Sequence, residues 1–250
     1  MSGSRNSATR RKGDKVAKRA TVSEMTTGEK RAGLIFFALY LLVLPLLSPK
    51  LFAFVGRLLD TQIPLMVQNA IYYYAVFAVT LVIFHRYVGK TSAVFAERLG
   101  PSCRTALLGL VALYGLNELV YRVTRVLADN RTNLNDSAIS AHLRDAPRVT
   151  LLIVVILAPF VEEVLFRGLV FGNLREKSRP VAYAVSCLLF ALLHVWQFAL
   201  VRQDAAYFWL MVQYLVPGLV LAWAYDRSGT LWTSVMLHAA ANALSMWAMK

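Results

Sequence analysis

The chain has 250 residues, of which 58% are hydrophobic and 16% are charged, and its mean hydropathy is +0.52. A soluble domain is about half apolar and about a quarter charged, so these values exclude an ordinary soluble domain and a mostly disordered chain. Two cysteines exclude a disulfide framework and a multi-cysteine metal cluster. The net charge of +13 is compatible with contact to nucleic acid, contact to anionic lipid, or membrane topology.

The chain begins with a basic segment, 1–31, which holds nine Lys and Arg residues and three acidic residues. The segment is rich in Ser, Thr and charge and has little apolar surface to bury, so we expect a disordered tail. It lacks the interleaved aromatic residues that stack on bases. We therefore expect the tail to contact anionic lipid and not nucleic acid.

Long apolar runs follow this tail. Five runs of 18 to 25 residues contain no Asp, Glu, Lys or Arg: 32–49, 61–85, 180–201, 205–225 and 228–249. About 20 apolar residues are enough to cross the hydrocarbon core of a bilayer as a helix. Two further spans, 105–121 and 149–172, are interrupted by a few charged residues. The sequence predicts an all-α polytopic transmembrane helical bundle of about seven helices, with six or eight as alternatives.

The distribution of basic residues predicts the orientation of this bundle. When the connections are sorted by side, 17 of the 27 Lys and Arg residues fall on the side of the N-terminus. Because Lys and Arg accumulate on cytoplasmic connections, we expect a cytoplasmic N-terminus in a multi-pass protein of the plasma membrane. The long connection at about 122–148 is then external and has room for a short surface helix. The sequence carries no signal for the oligomeric state.

Charged residues at depth in the membrane carry the functional information, because each one costs at least ~2.5 kcal/mol. Glu163 and Arg167 are four residues apart and can form an ion pair along one helix face. Glu162 points about 100° away from its neighbour and must face another direction. A structural ion pair explains Glu163 and Arg167 but leaves Glu162 unexplained. Glu162 is therefore a candidate general base.

Two histidines lie inside the later apolar runs. His238 shares a helix face with Asn242, four residues further on, while His194 lies in a separate run. Taken singly, each histidine is typical of a hydrogen-bonded core residue and Asn242 is typical of an interhelical contact. However, both histidines lie at depths that agree with that of Glu162 to within ~6 Å. We therefore expect these side chains to converge on one cavity, open to the cytoplasm.

Three short motifs occur in order on separate hydrophobic helices. They are Glu162-Glu163-x-x-x-Arg167, Phe190-x-x-x-His194 and His238-x-x-x-Asn242. This combination resembles the CAAX prenyl protease 2 family, also called the CPBP or ABI family, over about two fifths of the chain. The resemblance implies an intramembrane endopeptidase that hydrolyses peptide bonds of membrane-associated or lipidated, CAAX-like proteins and peptides.

The resemblance also implies a role for each motif residue. Glu162 and His194 would hold and activate the attacking water, whereas His238 and Asn242 would form the oxyanion hole. Glu163 and Arg167 would support the site. The chain then divides into three parts: a disordered basic cytoplasmic tail at 1–31, N-terminal transmembrane helices with the long external loop at 32–148, and a catalytic transmembrane core at 149–250.

Other interpretations remain open at this point. We expect no cofactor, although Glu162, His194 and His238 could bind a catalytic zinc ion without the His-Glu-x-x-His spacing. A membrane scaffold or bacteriocin self-immunity protein could share the same fold without being an enzyme. A proton- or ion-coupled transporter is a weaker alternative, because matching pairs of Gly/Pro-interrupted helices are missing. The expected partners are a peptide or protein substrate at the membrane and the lipid bilayer.

Overall fold

The computed structural model describes residues 24–127 and 133–248. The first 23 residues lie outside this part, so the predictions of a disordered, lipid-binding tail are untested for them. In these two stretches the elements are helices, and no β-strand occurs. The predicted all-α class is therefore confirmed.

The N-terminal part contains four long helices. They are α1 (Thr27–Ala38), α2 (Leu44–Leu58), α3 (Leu65–Glu97) and α4 (Leu99–Leu127), with a π-helical turn, Leu39–Val43, joining the first two. A fifth helix, α5 (Leu134–Asp145), lies on the connection that was predicted to be long and external.

The C-terminal part begins with one continuous rod. The rod contains α6 (Pro147–Leu151), α7 (Ala158–Glu162) and α8 (Gly172–Arg175), joined by π-helical segments at Leu152–Leu157 and Glu163–Phe171. It is followed by α9 (Arg179–Leu193), α10 (Trp196–Arg202), a 3-10 segment at Ala205–Leu210, α11 (Met211–Ser228) and α12 (Leu231–Ala248).

Several of these helices have the length and composition of membrane spans. In the described residues five helical stretches qualify: Thr27–Leu58, Leu65–Glu97, Leu99–Val123, Pro147–Arg175 and Ala205–Ser228. The pair α9 and α10, bent by 42°, makes a sixth if it counts as one span. The polytopic bundle is thus confirmed, with five or six spans where about seven were predicted. The difference arises because α9 breaks before α10 and because α12 carries polar residues, including His238 and Asn242, along its 18 residues.

The start of α1 is fixed by local hydrogen bonds. The hydroxyl of Thr26 accepts from the backbone N–H of Glu29, and the Glu29 carboxylate accepts from the backbone N–H of Thr26, which is a capping box. The helix therefore begins four residues before the predicted end of the tail at residue 31. The other Glu29 oxygen accepts from the backbone N–H of Tyr87 at 2.7 Å, next to a kink in α3 at Phe84. This contact joins α1 to α3.

We call one end of the bundle the basic end. The start of α1 lies there, together with the α3–α4, α8–α9 and α11–α12 connections. Lys30 pairs with Glu176 at 3.3 Å across it. Arg98 donates to the carbonyl of Ser228 at 3.1 Å. Arg175 and Arg179 both pair with the carboxylate of Asp226. These contacts hold the start of α1 and three chain connections together at one surface.

The N-terminal helices share one hydrophobic core with the C-terminal part. The rings of Phe37 and Phe166 meet edge to face with centroids 5.2 Å apart. The hydroxyls of Tyr87 and Tyr225, both fully buried, form a hydrogen bond of 3.0 Å. Gly33 allows α1 and α3 to approach, because a Cβ there would lie 2.5 Å from the ring of Phe84. The first helices therefore support the segment that carries the motif residues.

Candidate active site

The rod formed by α6, α7 and α8 presents Glu162 and Glu163 near its middle. In a π-helix each backbone N–H bonds to the carbonyl five residues earlier. Pro159 has no N–H, so the carbonyl of Val154 lacks this donor. Asn242 on α12 supplies it, because its Nδ2 donates to the Val154 carbonyl at 2.8 Å. This hydrogen bond fixes α12 against the rod beside Glu162.

The break between α9 and α10 positions His194. The Nδ1 atom of His194 donates to the carbonyl of Phe190 at 2.9 Å, while its backbone N–H bonds to Ala191 in a tighter turn. The side chain therefore donates a hydrogen bond to a carbonyl at the end of α9, where no further backbone N–H of the helix is available. Because Nδ1 faces a carbonyl, it carries a proton, and the Nε2 atom presents a lone pair in the neutral ring.

Glu162, His194 and His238 converge, as the sequence predicted. The Oε2 atom of Glu162 lies 3.9 Å from Nε2 of His194 and 3.9 Å from Nε2 of His238. Both separations are too long for a direct hydrogen bond but allow a small molecule to bridge the groups. Glu162 is buried, and its Oε2 atom receives no hydrogen bond from the described residues. The carboxylate therefore has acceptor capacity available for a ligand.

The carboxylate of Glu163 is fully buried and accepts hydrogen bonds from two side chains. Its Oε1 atom accepts from Arg167 at 2.8 Å, which is the ion pair expected from the sequence, and from Nδ1 of His238 at 2.9 Å. Arg167 also donates to the carbonyl of Gly218 at 3.0 Å. A carboxylate partner balances the charge of an imidazolium ring, so His238 can donate a proton from Nε2 as well. Glu163 thus orients His238 toward Glu162.

Aromatic rings hold these polar groups in place. The guanidinium of Arg167 lies 4.4 Å from the centroid of the Phe190 ring, in cation–π geometry. The same ring contacts His194 and His238, with centroids 4.7 Å and 5.8 Å apart. On its other side, the His194 ring stacks on Tyr214 at 4.4 Å. The histidines therefore have little freedom to rotate.

Two adjoining cavities, of about 380 Å³ and about 300 Å³, share Glu162 and His194 in their walls. The first extends past Met66 and Asn69 at the start of α3, and the second extends to His238 and Asn242. Helix α5 lines both cavities with Asn135 and Ile139. We call the surface where α5 and the start of α3 meet the cavity end.

The cavity end lies opposite the basic end. The prediction that the cavity opens to the cytoplasm concerns the orientation of the bundle in the membrane and stays a prediction. Near the basic end, Tyr87, Tyr225 and Met25 are buried. A depth counted in residues along a helix does not show which end of the bundle is closed, so sequence could not settle this point.

Several site residues were missed by sequence analysis. Tyr214 and Tyr73 lie in apolar runs where an aromatic residue gives no distinct signal. Asn133 caps α5 by accepting from two backbone N–H groups, and its Nδ2 donates to the hydroxyl of Tyr214 at 2.8 Å. An Asn before an Asp-containing first turn is a recognisable helix start. His142 also lines the first cavity, and its Nε2 atom forms a hydrogen bond of 3.3 Å with Nδ2 of Asn69.

The site was also compared with the requirements of zinc. Two imidazoles whose Nδ1 atoms are held, together with a carboxylate, are a suitable donor set. The 3.9 Å separations between Glu162 and the two histidines exceed the ~3.4 Å expected between ligands of a tetrahedral zinc ion. Among the described residues no group of three His, Cys, Asp or Glu side chains has the spacing of a metal site. The donor types therefore fit zinc, whereas the spacing does not.

Comparison with known proteins gives matches over the C-terminal part of the chain. The chain is 30% identical over 95 residues to the UPF0177 protein YxdF of Lactococcus lactis subsp. lactis (strain IL1403). The match covers 38% of this chain and 47% of YxdF, so the chain spans about half the length of this curated relative. No solved structure matches the chain.

A family match covers the same region. Residues 145–244 match the family described as type II CAAX prenyl endopeptidase Rce1-like, and this segment contains all six motif residues predicted to form the site. The family and the apolar helices together indicate an integral, multi-pass membrane protein. The resemblance found in the sequence is thus confirmed: residues 145–244 of this chain are similar to the Rce1-like family of type II CAAX prenyl endopeptidases.

Proposed function

We propose that the protein is an intramembrane endopeptidase that hydrolyses peptide bonds of membrane-associated or lipidated, CAAX-like proteins or peptides. The observation that carries the proposal is the Oε2 atom of Glu162, which receives no hydrogen bond from residues 24–127 and 133–248 and lies 3.9 Å from the Nε2 atoms of both His194 and His238. A buried carboxylate without a partner, facing two imidazoles in a cavity, is suited to proton transfer.

The hydrogen-bond partners of the two histidines assign them different roles. His194 donates from Nδ1 to a neutral carbonyl, so its Nε2 accepts a hydrogen bond from water. A water molecule that donates one hydrogen to this atom and the other to Glu162 presents its lone pair to a peptide carbonyl. Glu162 takes the proton as the carbon–oxygen bond forms and later gives it to the leaving amine.

The opposite side of the site stabilises the negative charge that develops on the carbonyl oxygen. We assign His238 the role of donating from Nε2, with Glu163 holding its Nδ1 atom. Asn242 uses one amide hydrogen for the Val154 carbonyl and has a second one to offer. One such donor contributes roughly 3 kcal/mol to stabilisation of the transition state. Arg167 acts through Glu163 and does not itself touch the reacting atoms.

The location of the protein is also proposed in more detail. The distribution of Lys and Arg supports a plasma-membrane protein with a cytoplasmic N-terminus. The basic tail would contact anionic lipid at that surface. A peptide or protein substrate would reach the site from the membrane surface, and no nucleic acid partner is expected.

We propose a mechanism without a metal ion, because the ligand spacing is wide for zinc. If zinc were bound, Glu162, His194 and His238 would hold it. Exhaustive chelation tests this choice. We expect unchanged cleavage, and a complete loss that zinc alone restores would contradict the metal-free mechanism.

The function is tested by cleavage of membrane peptides by the purified protein in detergent. Glu162→Gln removes the base while preserving shape, so we expect cleavage to fall by about 100- to 10,000-fold. Glu118→Gln is the matched control, since Glu118 is an exposed residue whose side chain is 65% accessible. Equal cleavage by the wild type and Glu162→Gln would remove the catalytic proposal and favour a scaffold or immunity protein.

A further inference from the structure

We propose that the hydroxyls of Tyr40 and Tyr73, both in the N-terminal part of the chain, bind the main chain of the substrate peptide beside Glu162. Tyr73 donates to the carbonyl next to the bond that is cleaved, and Tyr40 donates to a carbonyl further along the first cavity. The inference rests on the proposed function, and it adds two substrate-binding residues that lie outside the family match at 145–244.

Tyr73 of α3 lies where the two cavities meet. Its side chain lines both of them, as do Glu162 and His194. Phe77, one turn further along the same face of α3, packs against Phe160 of the rod with ring centroids 5.0 Å apart. Because Phe160 precedes Glu162 by two residues, this packing holds Tyr73 beside the reacting groups.

Tyr40 belongs to the π-helical turn between α1 and α2 and lines the first cavity together with Glu162. Phe37, three residues before Tyr40, packs edge to face on Phe166 of the rod. Residues three apart on a helix share a face, and Phe166 follows Glu162 by four residues. The face that carries Tyr40 is therefore fixed against the part of the rod that carries Glu162. Tyr40 is only 4% exposed, so its ring faces the interior of the bundle.

Neither hydroxyl has a hydrogen-bond partner in the described part of the chain. Buried tyrosine hydroxyls normally find one, as Tyr87 and Tyr225 do in their bond of 3.0 Å. The oxygens of Tyr40 and Tyr73 are also not among the fully shielded side-chain atoms, so each remains accessible to a small group. Both tyrosines therefore have a donor available for a ligand in the cavity.

The charge of the first cavity indicates which group these donors bind. The carboxylate of Glu162 lies within electrostatic range of both hydroxyls. The described walls of this cavity contain no Lys, Arg or Asp. A substrate carboxylate placed beside Glu162 would lose its hydration and gain no ion pair. A neutral main-chain carbonyl accepts a hydrogen bond from a tyrosine hydroxyl without this cost, so it is the group that the cavity favours.

Tyrosines in transmembrane helices also serve as anchors at the membrane interface. Tyr74, the residue after Tyr73, is 50% exposed and lines neither of the two cavities, so it fits that role. Tyr40 and Tyr73 differ from it because their side chains form cavity walls shared with Glu162. Tyr74 therefore provides a matched control of the same residue type.

The inference is tested with Tyr40→Phe and Tyr73→Phe, which each remove one hydroxyl and retain the ring, and with Tyr74→Phe as the control. The purified full chain is assayed in detergent with quenched-fluorescence membrane peptides. We expect kcat/KM to fall about tenfold for Tyr40→Phe and for Tyr73→Phe, because a substrate carbonyl loses its donor. Tyr74→Phe should match the wild type, and the three variants should share the Tm of the wild type.

A second measurement separates contact with the substrate from an effect on the fold. In a series of peptides, one amide at a time, other than the one that is cleaved, is replaced by an alkene isostere that removes its carbonyl. The isostere next to the cleaved bond should slow the wild type about tenfold but slow Tyr73→Phe less than about twofold, since that hydrogen bond is already missing. An isostere further along the peptide should show the same coupling with Tyr40→Phe.

Wild-type rates for both Tyr40→Phe and Tyr73→Phe would overturn the inference, and so would losses of equal size for every peptide in the series. The proposed function would remain in place after either result, provided that Glu162→Gln does not cleave the unmodified peptide. No cleavage by the wild type, or equal cleavage by Glu162→Gln, would overturn the proposed function itself.

Discussion

The same substitution at the adjacent residues Glu162 and Glu163 should have different effects on stability. Glu163 accepts hydrogen bonds from the buried Arg167 and from His238. Glu163→Gln leaves the Arg167 guanidinium without a counter-ion at a fully buried position. Breaking a buried ion pair from one side costs about 3–5 kcal/mol. Because about 1 kcal/mol shifts the midpoint of a chain of this size by roughly 2–4 °C, we expect Tm to fall by at least about 6 °C.

Glu162→Gln should leave stability unchanged, because its Oε2 atom has no hydrogen-bond partner among the described residues. We expect a change in the free energy of unfolding within about 0.5 kcal/mol. The same variant should lose nearly all cleavage. Glu163→Gln should lose both cleavage and stability, since His238 loses the carboxylate that orients it.

Unfolding can be followed with the native Cys187, which is 7% exposed in the folded chain. In a Cys103→Ser background, a fluorogenic maleimide reacts as heating exposes this thiol, and the midpoint is compared among the wild type and the two variants. If Glu162→Gln lowers Tm as much as Glu163→Gln does, the assignment of separate roles to the two carboxylates is incorrect.

Further predictions concern the residues around these carboxylates. Asn242→Ala should lower kcat by about 100- to 1,000-fold, because it removes an oxyanion donor; cleavage at the wild-type rate would exclude that role. Tyr214 is a positioning residue for His194, so Tyr214→Leu should lower kcat at least about tenfold with little change in KM. Tyr214→Phe retains the stacked ring and should restore most of that loss; equal defects in both variants would point to the hydroxyl instead. Pro159→Ala restores a backbone N–H near the Val154 carbonyl and should weaken the hydrogen bond from Asn242. We therefore expect the double variant Pro159→Ala, Asn242→Ala to have a higher Tm than the single variant Asn242→Ala.

The sequence predicted the helical class and the convergence of the motifs because both depend on local patterns. Apolar runs without charge identify spans, and spacing along a helix places Glu163 beside Arg167. The depth comparison correctly placed Glu162 near both histidines. These are properties of single helices, whose geometry is almost the same in every protein.

The parts that were missed depend on contacts between distant segments. The hydrogen bond between Tyr87 and Tyr225 joins two distant helices and leaves no local pattern in the sequence. The bond from Asn242 to Val154 requires knowing which helix packs beside Pro159. The bend between α9 and α10 coincides with a side-chain hydrogen bond from His194 to the carbonyl of Phe190, which a hydropathy pattern does not contain.

Helix α5 ends at Asp145, the residue at which the match to the Rce1-like family begins. The candidate catalytic groups and a helix that lines their cavities are therefore encoded in adjoining stretches of sequence. For the proposed endopeptidase, we expect substitutions in α5 to change which peptides are admitted without altering the geometry around Glu162. Such a division lets selection act on substrate choice while the chemistry stays constant. For engineering, it makes residues 134–145 the natural segment to exchange between relatives.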